Sequence, residues 1–99
     1  MLKLKKIFRL KINFMENKFS YEEIELWICD KFSEELKINS DDIEINKPFS
    51  EYGLDSVFIV QMSGDLEDFL GLKINPTTLF EYYTIEKLAT HFSNLKNNL

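Results

Sequence analysis

From residue 20 onward the apolar residues recur at helical spacing and nowhere alternate, which argues against any sheet-based fold. Ile24, Ile28, Phe32 and Leu36 return every four residues, with Tyr21 and Cys29 flanking the same stripe. Ahead of them stands Ser20-Tyr21-Glu22-Glu23, the Ser-x-x-Glu form of a capping box. The Ser20 hydroxyl can accept from the N–H of Glu23, and the Glu23 carboxylate can reach back to the N–H of Ser20. The spacing predicts an amphipathic helix of about four turns ending near Lys37. A second helical pattern runs from Asp55 to Leu70, with Gly71 placed to stop it. Pro76 can open a short helical turn over Thr77 to Tyr82. Thr84 then caps a last helix whose Ile85, Leu88, Ala89, Phe92 and Leu95 share one face. The expectation is all-α: a bundle of four helices, the third of them short.

A chain of 99 residues suits one small domain. One cysteine excludes an internal disulfide framework and a cysteine-based structural zinc site, and one histidine excludes most metal and acid–base constellations. No apolar run approaches the ~20 residues of a membrane span. Nor does an uninterrupted apolar core follow the N-terminal charges, as a signal peptide requires. A cytoplasmic location is therefore expected. The formal net charge of −5 hides an asymmetry: residues 1–18 carry six basic side chains against Glu16, a net +5. The other 81 residues hold six basic and sixteen acidic side chains, a net −10. Such a body repels nucleic acid and attracts basic protein surfaces through a salt-screened field. Residues 1–18 are therefore read as an extension, apart from a domain over 19–99. Its even-numbered apolar residues fit a strand, while Leu4, Phe8 and Ile12 also fit one helix face. Three readings stay open for it: a docking or membrane-surface segment, a disordered extension, or sequence upstream of a start at Met15.

Residues 38 to 54 form a long connection, with Asn39, Ser40, Asp41 and Asp42 as turn formers, Pro48 as a breaker and Gly53 closing it. Its Ile38, Ile43, Ile45, Phe49 and Leu54 predict that it lies on the core. A loop this long in a domain this small usually has a function. On the helix that follows, Phe58, Ile59, Met62, Leu66, Phe69 and Leu70 form the core stripe. Val57, Val60 and Gly64 fall on the opposite face among Asp65, Glu67 and Asp68. An apolar strip rimmed by carboxylates beside Ser56 is the layout of a partner site. Ser56 itself sits in a first helical turn, where free N–H groups and the helix dipole suit a phosphate ester. As a nucleophile it has no visible base, since His91 lies on the last helix, about one face away from its core stripe. On these residues alone, a phosphate-bearing serine and an ordinary cap at Asp55 or Ser56 both stand.

Phe49-Ser50-Glu51-Tyr52-Gly53-Leu54-Asp55-Ser56 resembles the modification motif of acyl carrier proteins, in which Gly-x-Asp-Ser ends in the serine that receives 4′-phosphopantetheine. The run from Pro76 to Phe92 is similar to the polyketide-synthase branch of that family, with Pro-Thr-x-Leu-Phe, then Thr-Ile, Leu-Ala and a late histidine. The likeness spans residues 21 to 95 and implies a carrier rather than an enzyme. Ser56 would be esterified from coenzyme A by a separate phosphopantetheinyl transferase using magnesium. Asp55 would help that transferase hold its metal, and Gly53 and Leu54 would complete the cofactor-bearing loop. Val57, Val60, Gln61, Gly64, Glu67 and Asp68 match positions that such carriers offer to their enzymes. The implied partners are ketosynthase, acyltransferase or acyl-ligase type enzymes. The resemblance implies a monomer without nucleic acid, stable membrane association, or catalytic or metal-ligating residues of its own.

Gln61 replaces an acidic residue common in fatty-acid carriers and Gly64 is smaller than usual there; both weigh against primary fatty-acid synthesis. Leu54 weighs modestly against peptidyl carriers, which more often have a Gly-Gly-x-Ser style loop. The alternatives are an aminoacyl carrier, an unmodified carrier-like interaction module, and a small hydrolase built on Ser56. Trp27 and Leu26 lie off the first core stripe, where partial burial against the long loop is expected. Cys29 reads as a small buried apolar residue, and His91 as a surface or packing residue.

Overall fold

The computed structural model describes residues 19–97, with side-chain surroundings up to residue 95, so the readings of residues 1–18 lie outside the described residues. Every described element is helical: α1 (Tyr21–Leu36), α2 (Ser56–Leu70), α3 (Thr77–Glu81) and α4 (Ile85–Asn97). Two single turns of 3-10 helix, Ser40–Asp42 and Phe49–Tyr52, order the long connection between α1 and α2. No helix among the described residues is long and apolar enough to cross a membrane.

The helix ends follow from local chemistry. The Ser20 hydroxyl accepts from the Glu23 N–H at 3.2 Å and donates to the Glu23 carboxylate. That pairing holds the first turn of α1 by its cap. α1 stops at Lys37, which enters the left-handed region at φ 58° while its N–H bonds the Ser33 carbonyl. At the end of α2, Gly71 takes φ 69°. The N–H groups of Gly71 and Leu72 both return to the Glu67 carbonyl, at 2.8 and 3.3 Å, and satisfy an otherwise orphaned acceptor. Thr84 caps α4, its Oγ1 accepting from the Lys87 N–H at 3.0 Å. All four boundaries lie where the sequence places them.

The core gathers one stripe from each long helix. Ile24, Ile28 and Phe32 of α1 meet Ile59, Met62, Leu66 and Leu70 of α2 and Ile85, Leu88, Ala89 and Phe92 of α4. Leu79 is the buried anchor of the short α3, and Cys29 is buried as a small apolar residue. The long connection lies on this core through Ile43 and Phe49, with Ile45 and Leu54 partly buried against it; Ile38 instead faces solvent. Two backbone bonds fasten the connection to the other end of the chain. The Phe49 N–H donates to the Tyr83 carbonyl at 2.9 Å, and the Glu86 N–H donates to the Ile45 carbonyl at 3.0 Å. The second bond satisfies one of the unpaired first-turn donors of α4.

Trp27 and Leu26 differ from expectation. Trp27 is partly buried, but against α2 rather than the long loop: it stacks on Phe69 with centroids 5.2 Å apart and planes 19° apart. Lys31 stands 5.2 Å above the Trp27 ring and 3.8 Å from the Asp65 carboxylate. The flat indole therefore extends the α1–α2 seam beyond the fully buried stripe. Leu26 remains 48% exposed, one position too far round the helix to reach either neighbour.

Phe32 is fully buried and touches three rings at once: Phe49 at 5.3 Å, Tyr52 at 5.3 Å and Phe58 at 5.8 Å between centroids. Phe32→Ala is expected to cost about 3–5 kcal/mol in urea unfolding, from lost transfer energy plus the cavity left behind. Leu26→Ala, at an exposed position of the same helix, should stay within about 0.5 kcal/mol of wild type.

Candidate functional site

The Phe49–Tyr52 turn ends at Gly53, whose φ of 72° reverses the chain in a conformation that costs other residues energy. Leu54 then drops its side chain against the core. That anchor lifts Asp55 and Ser56 to the surface, where both are exposed. Asp55 is the N-cap of α2, with extended backbone (φ −88°, ψ 170°) and a carboxylate that accepts from the Phe58 N–H at 2.9 Å. The Ile59 N–H closes on the Asp55 carbonyl at 3.3 Å, the first turn of the helix. The amides of Ser56 and Val57 come before these two bonds, at the open end of a 15-residue helix. An exposed hydroxyl therefore stands where backbone N–H groups and the dipole favour an esterified phosphate. Ser56 is the first helical residue and Asp55 is the cap, so the serine hydroxyl is not spent on capping.

Tyr52 fixes the loop from beneath. Its hydroxyl accepts from the Glu44 N–H at 2.8 Å and donates to the Glu44 carbonyl, tying the end of the connection back to its middle. Its ring meets Phe32 edge-on, and Lys47 stands 4.8 Å over it. Burial pushes the Tyr52 phenol above its ordinary pKa of 10.0. Burial does the same for Tyr21, with a hydrogen bond and charge from Glu25 adding to the rise. His91, the single histidine, is a packing residue: it stacks on Tyr82 at 4.1 Å and meets Phe92 edge-on at 4.9 Å.

The face of α2 that leads away from Ser56 is open. Val57 is 61% and Val60 47% exposed, and Gln61, Gly64, Asp65 and Asp68 are exposed beside them. Glu67 is engaged inward instead. Its carboxylate accepts from the Ile74 N–H at 2.8 Å and staples the turn after α2 to the helix. Gly64 is the unusual member of this face. It is helical, and a Cβ added there meets nothing within 4 Å, although glycine in a helix interior costs about 0.5–1 kcal/mol relative to alanine. The short α3 and the turn after it give no periodicity that would reveal a second exposed set: Phe80 at 54% and Tyr83 at 45%, with Lys87 4.1 Å above the Tyr83 ring.

Residues 26–92, well over half of the chain, match the family model described as "Phosphopantetheine attachment site". The chain belongs to that family. The carrier's cofactor is 4′-phosphopantetheine, covalently attached, and its function is that of a carrier protein homologous to polyketide-synthase carrier domains. It is 44% identical over 63 residues to "Polyketide synthase PksL" of Bacillus subtilis, covering 64% of this chain. The matched stretch is only 1% of that synthase, so the carrier corresponds to one small part of it. Among solved structures, an acyl carrier protein from Anabaena, Asl1650, superposes with a TM-score of 0.74 at 36% identity, covering 78% of this chain and 88% of that one. A free-standing peptidyl carrier protein from Acinetobacter baumannii superposes with a TM-score of 0.72 at 32% identity, covering 77% and 95%. These neighbours carry the same helical bundle, in agreement with the fold expected from the sequence.

Two outcomes check this geometry. Stability should be level at neutral pH and fall above about pH 10, because phenols held protonated in the fold ionise more readily once unfolded. The raised Tyr52 and Tyr21 contribute below that pH and lose their contribution as pH rises through their folded values. Tyr52→Phe should therefore flatten the alkaline limb of urea midpoints plotted against pH. Glu67→Ala should lower stability by about 1–2 kcal/mol, from loss of a part-buried charged acceptor, while Glu67→Gln keeps an acceptor and loses less.

Proposed function

We propose that Ser56 is the attachment point of the phosphopantetheine arm and that the chain carries acyl intermediates of polyketide type. The observation that carries this reading is the exposed hydroxyl at the first position of α2, with Asp55 already serving as cap. The site fits the group: the Ser56 and Val57 amides and the helix dipole offer positive potential to a phosphodiester, and no bulk covers the hydroxyl. When attached, the arm supplies a terminal thiol that holds cargo as a thioester.

The chain's own residues do four things. Gly53 and Leu54 set the loop height, so Ser56 protrudes. The remaining carboxylate oxygen of Asp55 is available to the transferase's magnesium during modification. Val57, Val60 and the exposed carboxylates give the enzymes a transient docking face. The acidic body steers their approach more than it adds affinity. Deprotonation of the serine hydroxyl falls to the transferase, in keeping with a packed His91. The partners on this reading are that transferase and enzymes of ketosynthase, acyltransferase or acyl-ligase type, meeting the carrier in the cytoplasm. The chain itself contributes no catalysis. The identity to PksL favours polyketide cargo over an aminoacyl group.

The test is incubation with coenzyme A, magnesium and a promiscuous phosphopantetheinyl transferase, followed by intact mass. Wild type should gain one phosphopantetheinyl group and Ser56→Ala none. A wild type that gains nothing, or a Ser56→Ala chain that still gains it, removes the assignment. Loading the modified chain in parallel with malonyl, acyl and aminoacyl donors then reads the cargo class.

A further inference from the structure

A groove of about 850 Å³ runs beside α4, and among the described residues none of α2 or of the serine turn lines it. Tyr21 of α1, Glu81 and Tyr82 from the end of α3, and Glu86, Lys87 and His91 of α4 do. Its chemistry is apolar and acidic together. The stacked rings of Tyr82 and His91, 4.1 Å apart, present a flat aromatic surface. Leu95, 41% exposed, continues the His91 face one turn further on. Glu81 and Glu86 are both exposed, while Lys87 is drawn 4.1 Å over the Tyr83 ring. Negative potential also registers at Tyr21: burial pushes its phenol up, and a hydrogen bond and charge from Glu25, then charge from Glu86, add to the rise.

The chain carries the complement of this groove itself. Residues 1–14 hold five basic and no acidic side chains, interleaved with Leu2, Leu4, Phe8, Leu10 and Ile12. Phe19, packed on Phe69 of α2 at 4.7 Å between centroids, stands two residues before Tyr21, so the preceding segment joins the domain beside the groove. Packed helices lie about 8–10 Å apart. Residues 15–18 span about 13–14 Å when extended, enough to cross from the α2 side of α1 to α4. Fourteen residues remain for a stretch from Glu86 to Leu95 of about 14 Å, and they cover it even at helical rise. So short a tether holds the segment at about millimolar effective concentration, an advantage over any dilute partner of the same chemistry.

We propose that residues 1–14 dock in this groove of their own chain, with apolar side chains on the Tyr82–His91 stack and basic ones against Glu81 and Glu86. Held there, the segment neutralises part of the acidic body and leaves the face of α2 open. The inference goes beyond the carrier reading of Ser56 and stands or falls separately from it.

The single histidine makes His91 a one-site reporter of the groove. The full chain is treated with diethyl pyrocarbonate at about pH 8, above the model imidazole pKa, and modification of His91 is followed by peptide mass. Phe8→Glu with Ile12→Glu should speed that reaction about fivefold, as releasing a segment docked about four-fifths of the time requires. Lys5→Glu with Arg9→Glu should speed it too, and adding Glu81→Lys and Glu86→Lys to that chain should restore the protection, a coupling that independent sites do not show. Carbodiimide treatment of wild type should join Lys5, Lys6 or Lys11 to Glu81 or Glu86 within one chain. His91 rates within about twofold of wild type for both segment variants would overturn the docking. Coupling of the segment's lysines to other carboxylates only would do so without recourse to any variant. Protection that fades on dilution would assign the groove to the segment of a second copy, against the proposal. A wild type with no protection that sediments with vesicles of anionic phospholipid would assign the segment to a membrane surface, also against it.

Discussion

The arrangement depends most on one buried ring. Phe32 sits at the C-terminal end of the buried stripe of α1 and simultaneously touches Phe49 and Tyr52 from the long connection and Phe58 from the first turn of α2. A seventeen-residue connection has large conformational freedom to lose, which its own turn hydrogen bonds offset only in part. Edge-on and tilted aromatic contacts to one immobile partner supply area and orientation together. With Phe49 and Tyr52 fixed, Gly53 and Leu54 follow, and the start of α2 can be set in only one place. The exposed turn that carries Ser56 is thus positioned from underneath.

At the surface the physics changes from packing to electrostatics. The start of α2 presents N–H groups, and nature of the cap decides what else can be offered there. Because Asp55 takes the capping bond, the exposed Ser56 hydroxyl is not spent on capping. The apolar pair Val57 and Val60 follows immediately, and the charges begin beyond it. On the proposed reading a partner meets the serine first, then apolar contact area, then carboxylates, in that order along one helix. Weak and rapid recognition suits such a surface, since the steering is long-range and the contact area small.

Much of this was legible in the sequence because it is local. Caps at Ser20 and Thr84, the stop at Gly71 and the four-residue stripe of α1 are decided within a turn or two of chain. The opposite faces of α2 follow from periodicity alone. What escaped is long-range. Trp27 was expected against the connection and instead stacks on Phe69, a choice settled by how α1 and α2 cross, which no local pattern encodes. The Tyr52 hydroxyl bond to Glu44 and the Glu67 staple to Ile74 join residues seven or eight apart through non-helical backbone, where no period applies. Phe80 belongs to an element of five residues, too short to show a face, and Tyr83 to the turn just after it.

The two backbone ties between the long connection and the segment around Tyr83 and Glu86 also carry a temporal meaning. During synthesis the chain emerges from its N-terminus, so Ile45 and Phe49 appear well before the groups that hold them. Until the start of α4 has arrived, the carbonyl of Ile45 and the amide of Phe49 lack their native partners, and the serine turn rests on its aromatic contacts and the Tyr52–Glu44 hydrogen bonds. The turn that carries Ser56 is finished last although it lies mid-chain. A modifying enzyme that reads the shape of this turn would in effect inspect whether the whole domain has folded, and pass over unfinished copies.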